Sequence, residues 1–287
     1  MELDEKVVST IKPEVLTSAE TELKLEAVGV SKTSMPLVRS VFLGILAGMF
    51  IAFGGMMLAL VYSDANLSFA IQRILGGLSF CIGLVLVIVA GAELFTGNNL
   101  IIMATLSGKV SWWAYAKNLI IVWIANLIGS LIVVAIVFFA NTGALNSGAV
   151  ADTFITLAAT KVSYTPLVMF FKAILCNVMV CLAVWMASAG RTLIDKFVAV
   201  LFPITAFVVA GGEHSVANMF LLPMGYAQKL AGNAVSEAAI TAADKIDVVG
   251  ILCNLGMVSL GNMVGGIVLV GVMYWIAHRW PARKAGN

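Results

Sequence analysis

The sequence predicts an all-α integral membrane protein: six transmembrane helices forming two inverted three-helix repeats, with the second and fifth helices broken. Three observations carry this reading. The 287 residues are 61% hydrophobic and 11% charged, with a mean hydropathy of +1.03, where soluble domains carry about 25% charged residues. Six stretches are long and apolar enough for a helical crossing, which takes about 20 residues. Two of them are interrupted by polar patches that match each other, "AGAELFTGNN" at 90–99 and "AGGEHSVANM" at 210–219.

The first segment, 1–36, is polar, and its start "MELDEKVVSTIKPEV" lacks the basic-then-apolar pattern of a cleavable signal. Thr17 and Glu20 have capping-box spacing, and Leu23, Ala27 and Val28 supply an apolar stripe, so a short amphipathic helix on the cytoplasmic surface is expected. The membrane-embedded core, 37–278, holds spans near 37–62, 69–107, 115–140, 165–188, 197–225 and 247–278, and 279–287 is expected to form a cytoplasmic tail. The second and fifth spans exceed one straight crossing. Polar backbone at membrane depth is tolerated only against protein or water, so both are read as discontinuous helices. Outer connections at 141–164 and 226–246 read as polar loops. Gly44 with Gly48, and Gly261 with Gly265, have the spacing that lets membrane helices pack closely.

The halves repeat in order. Ala-Gly-x-Glu followed by Asn five residues after the Glu recurs at a separation of 120; "ANLIGSLIV" (125–133) aligns with "GNMVGGIVL" (261–269), and "FLGILAGMF" (42–50) with "FKAILCNVM" (171–179). Three spans per copy force opposite orientations, which brings the paired breaks together near the midplane. Orientation follows the basic residues. With both termini inside, Lys6, Lys12, Lys24, Lys32, Arg39, Lys109, Lys117, Arg191, Lys196, Arg279, Arg283 and Lys284 are cytoplasmic, against Arg73, Lys161, Lys229 and Lys245 outside. Lys172 falls inside the fourth span.

Several classes are disfavoured. The lipid bilayer, not nucleic acid, is the expected partner. Cys81, Cys176, Cys181 and Cys253 lie in apolar segments without metal spacing and read as buried thiols, so neither disulfide, metal nor cofactor is expected. An embedded zinc peptidase would need His-Glu-x-x-His, and Ser215 directly follows His214, unlike a nucleophile and base assembled across a fold. No catalytic residue is assigned. A water or polyol channel would show Asn-Pro-Ala at the half-helix starts, where this chain has "TGNN" and "SVAN".

Each second half-helix should begin near Gly97 or Val216, with unbonded N–H groups and the positive end of the macrodipole facing the midplane, a setting for an anion. Thr96 offers a hydroxyl there, Asn98 and Asn218 amides, and His214 an ionisable nitrogen able to link passage to a proton. Glu213 and its counterpart Glu93 read as scaffolding that accepts N–H bonds from the irregular backbone after them. Asn177 either bonds His214 and fixes its tautomer or makes an interhelical amide contact. Phe80, Leu84, Leu94, Phe95 and Phe207 flank the breaks, as hydrophobic constrictions or as ordinary core. Lys161, in the outer connection, either draws anions to the mouth or is a solvated lysine.

"AGAELFTGNN", "LCNVMVCLAVWMASAGRTLIDK" and "GGEHSVANMFLLPMG" resemble the signature segments of the formate/nitrite transporter family, most of all its formate channels, over about residues 30–278. The resemblance implies an aquaporin-like protomer in a homopentamer of the inner membrane, with one pore per subunit for formate, nitrite or hydrosulfide. It implies Thr96 and His214 at the pore centre, Lys161, Asn177, Glu213 and Asn218 as supporting polar groups, and Leu84, Leu94, Phe80 and Phe207 at the constrictions. It also implies an N-terminal segment that gates the cytoplasmic mouth with pH. The family's formate channels can have Asp where this chain has Glu93, which bears on cargo rather than fold.

Overall fold

The computed structural model describes residues 14–285, with side chains as far as Trp280. Lys6, Lys12 and the side chains of Arg283 and Lys284, counted above for orientation, lie outside the described residues, as do most of the tail's side chains and the start of the 1–36 segment. The described chain is helical throughout: α1 (Ser18–Thr33), α2 (Leu37–Tyr62), α3 (Phe69–Leu86), α4 (Phe95–Asn98), α5 (Ile102–Leu106), α6 (Trp112–Phe139), α7 (Ala149–Val162), α8 (Pro166–Ala189), α9 (Leu193–Val209), α10 (Ser215–Leu230), α11 (Glu237–Ala243), α12 (Val248–Met263) and α13 (Met273–Ala285).

Five helical stretches are long and apolar enough to cross a membrane: Leu37–Tyr62, Phe69–Gly91, Trp112–Phe139, Pro166–Ala189 and Val248–Trp280. The remaining expected span is divided into α9 and α10, of 17 and 16 residues. The last of the five continues from α12 through a π-helical stretch, Val264–Val272, into α13. The connections read as polar loops hold α7 and α11 instead. Their alternating small and polar residues hid helices that Asp152 and Ser236 help anchor: the Asp152 carboxylate accepts the Val235 and Ser236 N–H groups, and Ser236 caps α11.

Glycine sets the closest helix contacts. A Cβ on Gly48 of α2 would fall 2.0 Å from the Asn126 carbonyl oxygen on α6, and one on Gly261 of α12 would fall 2.4 Å from the Phe170 carbonyl oxygen on α8. Only a residue without a side chain permits that approach. Cys81, Cys176 and Cys181 are buried, whereas Cys253 is exposed on the outer surface of α12, a correction to the reading of four buried thiols: an apolar segment places a residue in the membrane without deciding whether it faces protein or lipid.

The capping box starts α1 as expected: the Glu20 N–H donates to the Thr17 hydroxyl, and the Thr17 N–H to the Glu20 carboxylate. Its inward face is different from the expected stripe. Leu23 and Ala27 are exposed, and Thr21, Glu22, Leu25, Glu26 and Gly29 are buried. Partners beneath explain the rotation. Arg279 reaches Glu26 Oε2 at 2.6 Å and Glu22 Oε2 at 3.3 Å, and Lys109 and Ser107 also bond Glu26. Lys24 donates to the Ser188 carbonyl at 2.6 Å, tying α1 to the end of α8.

Burial, reinforced by the neighbouring Glu26, pushes the Glu22 carboxyl up to about 7. Burial acts to raise Glu26 as well, but hydrogen bonds from Arg279, Lys109 and Ser107 together outweigh it and hold that carboxyl at about 2. The signs oppose. Docked Glu22 retains a proton that a released Glu22, with its ordinary value of 4.5, gives up, so docking weakens as pH rises from about 4.5 to about 7. Glu26's contribution is present above 4.5 and lost as pH falls through about 2. Protection factors of the α1 amides, which divide out the base-catalysed rise of intrinsic exchange with pH, should therefore be higher at pH 5.5 than at pH 7.5, and Glu22→Gln should abolish the difference by raising protection at pH 7.5.

Candidate functional site

Both helix breaks are built alike. The π-helical turn Val87–Gly91 that ends α3 closes on Gly91 at φ +83°, and α9 closes through Ala210 on Gly211 at φ +71°. These left-handed glycines stop each half-helix. The chain then runs extended to Leu94 and His214, after which α4 and α10 begin. Freed peptide groups in each break find partners on neighbouring helices. The Glu93 N–H donates to the Leu43 carbonyl, and the Glu213 N–H to the Lys172 carbonyl, both at 3.1 Å.

One asparagine pins each break. Asn126 of α6 donates to the carbonyls of Gly44 (2.7 Å) and Glu93 (2.9 Å) and accepts the Phe95 N–H (2.9 Å). Asn262 of α12 donates to the carbonyls of Ala173 (2.8 Å) and Glu213 (2.9 Å) and accepts the Ser215 N–H (2.9 Å). Each amide thus joins the break to two helices. Part of the N–H array expected at the half-helix starts is consumed this way.

The two carboxylates sit in matched cages. Glu93 meets Lys32 Nζ at 2.9 Å and accepts from Asn98 Nδ2 at 2.8 Å, and Asn98 donates on to Asn118 at 2.9 Å. Glu213 meets Lys161 Nζ at 2.7 Å and accepts from Asn218 Nδ2 at 2.7 Å, and Asn218 donates on to Asn254 at 2.8 Å. The partners differ from the expected backbone N–H groups. Five residues on, the first turn of the following half-helix swings an asparagine amide back over each carboxylate, and a lysine from another helix supplies the charge. Lys161 belongs to α7 and is largely buried, with its side chain 13% exposed.

Between the breaks, Thr96 Oγ1 and His214 Nε2 lie 3.0 Å apart, both side chains buried. The Ala217 N–H donates to His214 Nδ1 at 3.0 Å, so the imidazole itself caps α10. This assigns the tautomer: Nδ1 accepts and carries no proton, and Nε2–H donates to Thr96, leaving the threonine hydroxyl hydrogen available. Asn177 does not reach His214. Its amide donates to the carbonyls of Asn262 (2.7 Å) and Thr96 (3.3 Å), the interhelical alternative, because a backbone N–H three residues along the helix already occupies the ring nitrogen.

A cavity opens on either side of this pair. One, about 250 Å³, is lined by Arg73, Phe80, Lys161, Lys172, Phe207 and His214 among others; the second, about 540 Å³, lies under α1 and is lined by Lys32, Arg39, Leu84, Glu93, Leu94 and Asn98. Phe80 and Phe207 meet edge to face at 5.6 Å, and the Phe207 ring lies 6.1 Å from the His214 ring at an interplanar angle of 24°. Phe95 lines neither. It borders a third, apolar cavity with Trp112, Tyr115 and Trp123, because the first turn of α4 points successive side chains to different faces and gives the inward one to Thr96.

A sequence profile described as formate/nitrite transporter matches residues 19–276 of the chain. The chain belongs to the formate/nitrite transporter family. It is 35% identical over 259 residues to the formate channel FocA of Escherichia coli (strain K12), covering 88% of this chain and 91% of FocA. The nitrite transporter NirC of Salmonella typhimurium is 34% identical, with 82% of each chain covered. Among solved structures, a pentameric formate channel with formate bound superposes with a TM-score of 0.76 at 34% identity, over 84% of this chain and 97% of that one.

In this formate/nitrite transporter, then, a multi-pass membrane protein, Thr96 and His214 pair between the breaks, Glu93 and Asn98 meet in one cage, and Lys161, Glu213 and Asn218 meet in the other. Sequence reasoning did not assign site positions to Lys32, Asn118, Asn126, Asn254 and Asn262. The asparagines had a signal: 118 with 254 and 126 with 262 share one offset of 136 residues, and a polar amide in an apolar helix asks for a partner. Replacing Asn262 with Leu should strand the buried Ser215 N–H and two carbonyls, destabilising the protein by on the order of 3 kcal/mol. Detergent-solubilised protein should melt well below wild type, and Asn254→Ala, which removes the acceptor for Asn218 and the donor to the Lys161 carbonyl at the edge of the cage, should lower the midpoint less.

Proposed function

We propose that the chain conducts small monovalent anions across the inner membrane, formate first among them, through a conduit whose centre is the Thr96–His214 pair. The observation that carries this is the placement of that hydrogen bond between two cavities, each holding a lysine at a buried carboxylate. Formate is favoured by the kinship with FocA. A second reading, nitrite, is favoured by NirC at nearly the same identity, since both ions are bent, triatomic in heavy atoms and singly charged. Hydrosulfide is a further cargo of the same reading, and a neutral polyol the least compatible with cation-lined mouths.

On this reading the chain forms six spans as two inverted repeats with an aquaporin-like course, residues 37–278 making the conduit, both termini cytoplasmic and 279–287 a tail. The matched cages around Glu93 and Glu213 support the repeat. Five copies assemble, a reading supported by the likeness to the pentameric channel superposed above, and each copy has its own conduit. The segment 1–36, through α1, gates the inner cavity.

Passage follows from the donors available. An anion drawn to a vestibule lysine sheds water at the apolar constrictions, Phe80 with Phe207 on one side and Leu84 with Leu94 on the other. At the centre it meets the Thr96 hydroxyl and the His214 N–H, with Asn177 supporting the Thr96 backbone. Proton linkage runs through Nδ1, where a second proton displaces the Ala217 N–H; the resulting imidazolium can return a proton to the anion and release the neutral acid.

Uptake of formate, nitrite, hydrosulfide, acetate and glycerol into proteoliposomes at pH 5.5 and 7.5 tests cargo and coupling together. Formate should lead and glycerol should not enter. His214→Asn should cut acid-stimulated formate uptake about 100-fold while sparing the anion leak. An unaltered pH profile in that variant would remove His214 from the coupling.

A further inference from the structure

The two breaks share a caged glutamate, its asparagine and its lysine, but differ at the residue whose carbonyl receives the break N–H. The break N–H groups of Glu93 and Glu213 bond to the carbonyls of Leu43 and Lys172, so these two residues occupy corresponding places, and each lines the cavity on its own side. One is a leucine and the other an ammonium. Charge on a membrane-crossing helix is costly and points to a use, and the Thr96–His214 centre makes none of Lys172.

Lys172 Nζ donates to the Gly211 carbonyl at 3.0 Å and stands 4.9 Å from the centroid of the Tyr164 ring. Arg73 of α3 reaches the same helix end. Its Nη1 lies 3.5 Å from the Val208 carbonyl and 3.4 Å from the Tyr62 hydroxyl, and the guanidinium rides over the rings of Tyr62 and Phe69. Both cations therefore gather at the carboxyl end of α9, where the macrodipole amounts to about half a negative charge. Two full positive charges exceed it.

Lys161 on the same cavity is matched by Glu213. Among the described residues, neither Lys172 nor Arg73 is in an ion pair with a carboxylate. The cavity thus has Arg73, Lys161 and Lys172 against Glu213, whereas the cavity under α1 has Lys32 and Arg39 against Glu93. The surplus is larger on the side away from α1, and it sits just outside the Phe80–Phe207 constriction.

We infer that Lys172, assisted by Arg73, holds small monovalent anions in an antechamber on the face opposite α1, an anion site that the α1 face lacks because Leu43 stands at the matched position. The inference rests on the anion-conducting reading above. A passive conduit must carry equal flux both ways in the limit of low concentration, so the antechamber shows itself in saturation: entry from the Lys172 face half-saturates at lower anion concentration than entry from the α1 face. Screening by salt weakens the effect.

The test uses full-length protein in proteoliposomes at low ionic strength, with orientation read from protease cleavage of the N-terminal segment in a parallel aliquot and labelled formate offered to one face at a time. Lys172→Gln keeps a donor for the Gly211 carbonyl and removes the charge; Lys172→Arg keeps the charge. In the Gln variant the half-saturating formate concentration at the Lys172 face should rise roughly tenfold and lose most of its salt dependence, with the α1 face unchanged. The Arg variant should stay within about twofold of wild type on both faces. A Gln variant with wild-type half-saturation and salt dependence would reduce Lys172 to a cap on α9 and overturn the inference alone. Wild-type vesicles that move neither formate nor nitrite would overturn the underlying reading as well.

Discussion

A helix broken inside a membrane frees peptide groups that lipid cannot solvate, and each must find a partner within the protein. The chain answers this with Asn126 and Asn262, single amides that each make two bonds to a break and a third to a neighbouring helix. Every other feature of the centre depends on them. They fix where the second half-helices begin, and so where Thr96 and His214 can meet.

From that anchor the polar groups assemble outward. The extended backbone turns Glu93 and Glu213 toward the cavities, the first turn of the next helix folds Asn98 and Asn218 back onto them, and lysines from α1 and α7 complete the charge balance. A buried carboxylate without these partners would be strongly destabilising. His214 is held by the same economy of bonds, since its ring serves as the cap of α10. Scaffold and proposed centre therefore share residues, and Phe80, Phe207, Leu84 and Leu94 give the two cavities apolar walls beside them.

Much of this was legible from the residues. Hydropathy located the crossings, and polar patches inside apolar runs located both breaks, because membrane burial makes such patches hard to explain otherwise. The Ala-Gly-x-Glu repeat holds the glycines, Gly91 and Gly211, whose left-handed backbone ends each half-helix in the structure. What sequence could not give was direction across space. Lys32 lies in a surface helix 61 residues before Glu93, and only docking of α1 brings them together. The same docking turned Glu22 and Glu26 inward and Leu23 outward, since ion pairs with Arg279 outweigh an apolar stripe of three residues. Of the two readings open for Asn177 and for Phe95, local geometry selects the structural one: a backbone N–H already takes the ring nitrogen of His214, and helical rotation in α4 gives the inward position to Thr96.

Arg279 lies at the far end of the last crossing stretch, yet it clamps Glu22 and Glu26 of the first helix. During synthesis the amino-terminal helix emerges first and its clamp emerges last. The ion pairs that hold α1 over its cavity are therefore completed only when the last helix has been made, and the order of translation is written into the order of docking.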